Sequence, residues 1–138
     1  MNALAESGYL GEAGVQKGTF GYRIVAADGH VCDSLAERVV DDWLHAKGIE
    51  HEKSPAYPDA VCANLGMRAR ADWRVGDSYI EYFGLMFRDD YARRAERKIS
   101  ECMRCGIPLV PLYPGDEFGL QVWVPEIVSA FFRKFCPV

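Results

Sequence analysis

Apolar positions change their period along the chain, and each change marks an element. Between Ser34 and Gly48, Leu35, Ala36, Val39, Val40, Trp43 and Leu44 fall at helical spacing. Ser34, with Glu37 three residues on, is a capping-box pattern that starts this helix, and Gly48 ends it. Before it, YRIVAADGHVC (22–32) reads as a hairpin with Asp28 and Gly29 at the turn. After it, 49–58 reads as a strand, followed by an irregular stretch through Gly66. From 68 to 85 the period falls to two: Ala69, Ala71, Trp73 and Val75 are assigned to one side and Arg70, Asp72 and Arg74 to the other. A second helix is expected over 88–105, stopped by Gly106, with Ala92, Ala95, Ile99 and Met103 on the stripe that packs against a sheet. Residues 107–113 form a short apolar strand whose prolines place it at an edge or an end, and Pro125 opens a last helix through 135. Residues 1–21, with five glycines and little periodicity, read as a leader or linker with one short helical turn at most. The expected architecture is an α/β domain over 22–138 with a mixed sheet flanked by helices.

The register of the 68–85 hairpin can be worked out. A two-residue turn at Gly76-Asp77 pairs Val75 with Ser78, Arg74 with Tyr79, Trp73 with Ile80 and Asp72 with Glu81. Like charges directly opposed in a ladder are destabilising. Two such carboxylates share a proton, bind a cation, or sit where solvent screens them. Tyr79, Glu81 and Phe83 share one face of the second strand, so the acids lie among aromatics, which favours the cation.

Composition narrows the setting. With 138 residues, 49% of them hydrophobic, the chain supports one substantial core. The net charge of −4 gives no sign of a nucleic-acid binder, so any such role needs a local basic patch. No basic stretch followed by an apolar core opens the chain, and no run reaches the roughly 18 apolar residues of a membrane span. A soluble cytoplasmic protein is expected. Five scattered cysteines argue against a disulfide framework, and Cys102 and Cys105, though at zinc-ligand spacing, read as two core thiols of a helix. His30, His45 and His51 are not read as ligands.

The basic patch lies next to the acids. Tyr91, Arg94 and Lys98 fall on one helical stripe, while Arg88, Arg93, Arg97 and Arg104 from the same segment and Arg68, Arg70 and Arg74 from the hairpin add charge. A cation held by carboxylates beside a basic surface suits phosphodiester hydrolysis: the cation polarises a phosphoryl oxygen, and Lys and Arg hold phosphates.

The segments DGHVCDSLAERVVDDWLHAKGIEHE, ADWRV and YIEYFGL, then Tyr91, Arg94 and Lys98, then GIPLVPLYPGD resemble, in that order, the PD-(D/E)XK nuclease superfamily. More narrowly, they resemble its small phage and microbial nuclease-like domains, over about residues 22–116. The resemblance implies a restriction-endonuclease-like αβββαβ core and a divalent-metal-dependent endonuclease acting on nucleic acid, DNA before RNA. It implies Asp72, Glu81 and the carbonyl of Tyr82 as ligands of Mg²⁺ or Mn²⁺, with Glu37 completing the metal site. Tyr91, Arg94, Arg70, Arg74 and Arg88 would hold nucleic acid. The lysine expected two residues after the glutamate is replaced by Phe83, and Lys98 on the following helix is placed to supply it.

Several of these residues also have a purely structural explanation: an exposed hairpin with a looser turn would offset Asp72 and Glu81. Capping alone accounts for Glu37, a solvated helix face with Glu96 or Glu101 as ion-pair partner accounts for Arg94 and Lys98, and Tyr91 can be an aromatic at the core edge. The alternative function is a catalytically inactive nuclease-fold module that binds nucleic acid or a protein partner. A third reading makes the tail Phe131-Phe132-Arg133-Lys134-Phe135 the face of a homodimer.

Overall fold

The computed structural model describes residues 14–18 and 21–123, in two compact units divided between Glu50 and His51. The last helix expected over 125–135 and the aromatic tail lie outside the described residues.

In the first unit β1 (Gly14–Gly18), β2 (Gly21–Val25) and β3 (Val31–Cys32) form an antiparallel sheet in that order, followed by α1 (Leu35–Ala46). β1 falls inside the stretch expected to be a leader. Its glycines suggested a loop, yet its backbone pairs with β2 from Gly14↔Val25 to Gly18↔Gly21. The hairpin at 22–32 is present with a longer connection than Asp28-Gly29 alone: Val25 pairs with Val31, and Ala26 N–H donates to the carbonyl of His30 at 2.9 Å. α1 holds that connection, because Asp42 Oδ1 accepts from Ala27 N–H at 2.9 Å and the buried Asp41 reaches His30. The N-cap forms as expected, with Ser34 Oγ accepting from Glu37 N–H at 3.1 Å, while the return bond is displaced by one residue: Glu37 Oε1 accepts from Asp33 N–H at 3.2 Å, just before the N-cap.

The second unit carries a four-stranded mixed sheet in the order β4 (Glu52–Lys53), β5 (Trp73–Val75), β6 (Ser78–Tyr82), β7 (Leu109–Leu112). The long strand expected over 49–58 is reduced to β4 and one isolated bridge, Ala56↔Arg70. Within the stretch expected to be irregular stands α2 (Asp59–Leu65), which starts after Pro58 and ends on Gly66 in the left-handed conformation (φ 72°). The longest helix among the described residues, α3 (Asp89–Arg104), crosses from β6 to β7, as a parallel strand pair requires. It packs on α2 and β7. β7, with Pro108 before it and Pro111 inside it, stands at the edge, where a missing N–H is tolerated. A 3₁₀ turn (Asp116–Phe118) and a short α4 (Leu120–Trp123) follow.

The β5–β6 register is as derived: Val75↔Ser78, Arg74↔Tyr79, Trp73↔Ile80. Gly76 takes φ 58° and Asp77 does not, the sign pattern of a type II′ turn. The pairing stops there, however. Asp72 N–H donates at 3.1 Å to the carbonyl of Ile80, which already faces Trp73, so two consecutive residues oppose one, as in a β-bulge. The bulge changes the faces as well. Ala69 and Ala71 pack with Tyr57, Val61, Tyr79 and Cys102, on the side of the residue opposite Arg74, rather than continuing the side of Trp73 and Val75. Met103 is exposed, and Cys102, one position earlier, takes the core place expected for it.

No helix among the described residues is long and apolar enough to cross a membrane.

Candidate functional site

β6 is covered on both sides, which leaves Glu81 8% exposed. A carboxylate there needs compensation, since burying a lone charge is expensive. Two partners supply it. Tyr57 Oη donates to Glu81 Oε1 at 2.6 Å, and Lys98 Nζ donates to Oε2 at 2.9 Å. Lys98 comes from the middle of α3, which passes over this part of the sheet, and its ammonium also lies 6.0 Å from the Tyr57 ring centre.

Asp72 is set by the bulge. Beyond Ile80 the edge of β6 has lost its partner strand, and the Asp72 carboxylate takes that strand's place, with Oδ2 accepting from Tyr82 N–H at 2.7 Å. The two acids are therefore not a facing ladder pair: Glu81 points out of the sheet, while Asp72 lies along its edge at Tyr82. Because N–H and C=O of one strand residue leave by the same edge, the Tyr82 carbonyl also faces the Asp72 side.

Both acids act on the same surroundings. Tyr91 lies on α3, its Oη accepting from Gly84 N–H at 3.2 Å; burial raises its phenol above the ordinary value, and the negative charges of Glu81 and Asp72 raise it further. Tyr57 is raised far more, by burial first and then by Glu81. Burial and Glu81 push the Cys102 thiol up to about 11, and burial with Glu117 pushes Tyr82 up to about 12. Tyr82 Oη donates to Glu117 Oε1 at 3.1 Å.

These shifts predict an alkaline instability. Each of these groups holds its proton more tightly when folded, so its contribution is full below the unfolded value and is lost as pH rises through the folded one. Starting from 9.0 for Cys102 and 10.0 for the tyrosines, stability should fall from just above pH 9 and keep falling past pH 12, because Tyr57 holds its proton beyond that range. Urea midpoints across that range test it, and a flat profile would count against the burial of these groups.

A cavity of about 160 Å³ opens beside Glu81 and Lys98, with Tyr91 and Arg94 also on its wall. Four of the residues singled out in the sequence thus meet there. Others do not line it. Arg74 pairs with Glu52 at 3.1 Å, Arg88 with Asp90 at 3.6 Å, and Arg70 donates to the Ser54 carbonyl at 2.6 Å. Arg94 pairs with Asp90 at 3.5 Å rather than with Glu96 or Glu101. Glu37 lies in the first unit, bonded to Asp33 N–H just before the N-cap of α1.

Two contributors escaped the sequence reading. Tyr57, in the connection from β4 to α2, meets Glu81 across 24 positions, a contact no local pattern announces. Arg97 lines the cavity although its charge counted only as background. Tyr57→Phe keeps the ring and removes the hydrogen bond to a buried carboxylate, a loss expected to cost ~1.5–3 kcal/mol by urea denaturation. An unchanged midpoint would mean that water replaces the phenol.

The four cysteines among the described residues are free thiols, and Cys102 is buried in the core cluster beside Cys62 and Cys105. A second polar cluster stands in the first unit. His30 Nδ1 is 3.0 Å from both Asp28 Oδ2 and Asp41 Oδ2, although no histidine was expected to take part in a site. Burial, then the hydrogen bond shared with Asp41, raises the Asp28 carboxyl.

No protein-family model, no curated protein and no solved structure matches this chain. The fold and site define a mixed α/β protein in which a buried acid, a lysine and a tyrosine meet beside a cavity.

Proposed function

We propose that the protein is a divalent-metal-dependent nuclease that hydrolyses phosphodiester bonds, with DNA as first substrate, on a restriction-endonuclease-like core. The observation that carries this reading is the 2.9 Å contact from Lys98 Nζ to Glu81, because it brings a lysine from α3 to the acid that is followed two residues on by Phe83, where a lysine was expected. The order α1, β4, β5, β6, α3, β7 supports the αβββαβ assignment, with α2 as an insertion.

The donor set suits a hard cation. Asp72, Glu81 and the Tyr82 carbonyl offer only oxygen, and a carboxylate oxygen that accepts one hydrogen bond keeps a second lone pair. Bound there, Mg²⁺ or Mn²⁺ would supply Lewis acidity toward a phosphoryl oxygen and a nearby water. The chain's own groups do the rest. Tyr57 and Lys98 fix the rotamer of Glu81, the Lys98 ammonium orients the attacking water by donating a hydrogen bond, and Arg94 with Tyr91 positions phosphate. The part of Glu37 rests on the resemblance alone.

One observation favours a catalytically silent binding module: both Glu81 oxygens are already engaged, by Tyr57 and Lys98. Cleavage of labelled single-stranded, duplex and branched DNA and of RNA, with Mg²⁺, Mn²⁺ or EDTA, separates the two. The nuclease cleaves in either metal and stops in EDTA. A silent module shows salt-sensitive binding and no cleavage under any condition.

A further inference from the structure

The cavity beside Glu81 is built from two kinds of wall. One is apolar and partly aromatic: Leu65 from the end of α2, Met67 just after it, Phe83 past the end of β6, and Tyr91 and Ala95 from α3. The other is cationic: Arg94, Arg97 and Lys98, all from α3. Lys98 is offset by Glu81 and Arg94 shares the exposed Asp90. Arg97 donates only to the neutral Asn64 carbonyl, at 3.3 Å, and has no acidic partner among the described residues. The cavity therefore favours a ligand that is flat and apolar at one end and anionic at the other. Its volume of about 160 Å³ suits one ring system rather than an extended cofactor, since pockets for drug-sized ligands run from ~300 Å³ upward.

We propose that this cavity takes the base of an unpaired nucleotide, with the adjoining phosphate on Arg94 and Arg97, so that the protein acts on single-stranded or locally unpaired nucleic acid. What happens next rests on the nuclease reading: a base seated there lies against Glu81 and Lys98, which brings its phosphodiester to Glu81. Tyr91 and the Met67 thioether give a base the polarizable surfaces on which single strands stack, while Phe83, 1% exposed, closes the cavity from the core side. A base inside a duplex cannot reach such walls unless it leaves the stack, which costs a few kcal/mol in paired sequence and least where pairing is already broken. Met67, 56% exposed, stands at the rim, where it can change without disturbing the core.

Binding is measured in EDTA, so that cleavage is not needed, with short DNA and RNA single strands carrying one 2-aminopurine. The same strand is also tested in a perfect duplex, in a duplex where the probe is bulged, and with an abasic residue in place of the probe. Single strands and the bulged duplex should bind about tenfold more tightly than the perfect duplex or the abasic strand, with a change in 2-aminopurine emission. The DNA and RNA arms show which sugar is accepted. Met67→Asp should abolish the advantage of the base-bearing strand and leave the abasic strand unaffected, while Arg97→Ala should weaken both alike. Ala95→Leu fills the cavity and should act as Met67→Asp does; if it fails to fold, Met67→Asp still decides. Equal binding of base-bearing and abasic strands, or a Met67→Asp effect that is the same on both, overturns the proposal. Metal-dependent cleavage without any preference for unpaired nucleotides would overturn it and leave the nuclease standing. Base-dependent binding without cleavage would support the cavity and remove the nuclease.

Discussion

Lys98→Met should remove cleavage and weaken the fold together, because one side chain serves both. In the folded protein the ammonium sits 2.9 Å from a carboxylate whose side chain is 11% exposed, while its own is 22% exposed. Without it, Glu81 keeps only the Tyr57 hydrogen bond, and a charge left short of a partner at such a depth costs ~1–3 kcal/mol. The rate should fall by about a hundredfold or more, the usual worth of a positioned hydrogen-bond donor at the reacting centre. Adding Glu81→Gln to the same chain separates the effects: a neutral amide no longer needs the ammonium and still accepts from Tyr57, so stability should return while cleavage stays absent. Urea midpoints and single-turnover cleavage on wild type, both single variants and the double variant complete the cycle. A Lys98→Met protein with wild-type cleavage would remove Lys98 from the chemistry.

Asp72→Asn has the larger expected effect on rate and a small one on the fold. The asparagine carbonyl oxygen can still accept from Tyr82 N–H, now bonded to Asp72 at 2.7 Å, so the edge of β6 keeps its partner. The charge that would hold a cation is gone, and cleavage should fall about a thousandfold. Asp72→Ala should lose the strand-edge bond as well, adding ~1–2 kcal/mol of destabilisation. If Asp72→Asn lost as much stability as Asp72→Ala, the carboxylate would be structural first.

The hairpin register was legible because a glycine in first turn position and alternation on both strands admit one pairing, and Trp73↔Ile80 follows from it. The bulge at Asp72 was not. Ala69, Ala71, Trp73 and Val75 are all buried, and the same alternating burial arises whether the strand runs straight or changes face at Asp72. Such a pattern reports depth, not which side of the sheet a residue joins. For the same reason the site was half visible: Tyr91, Arg94 and Lys98 share a stripe by helical spacing, whereas Tyr57 enters through a long-range contact from an irregular segment. The seven residues of α2 are too few to show a period, so only Pro58 before it and Gly66 after it marked its limits. β1 went unseen because its pairing is a backbone property that its glycines obscured.

Counting Mn²⁺ bound to the wild type, to Asp72→Asn and to Glu81→Gln, by the loss of the free-ion paramagnetic resonance signal at neutral pH, tests the central claim most directly. The acids of β6 and its neighbouring bulge should hold an ion in the wild type that both variants lose, while all three proteins keep the same secondary structure by circular dichroism. An ion retained in full by both variants, as one bound instead by Asp28, His30 and Asp41 would be, contradicts the account.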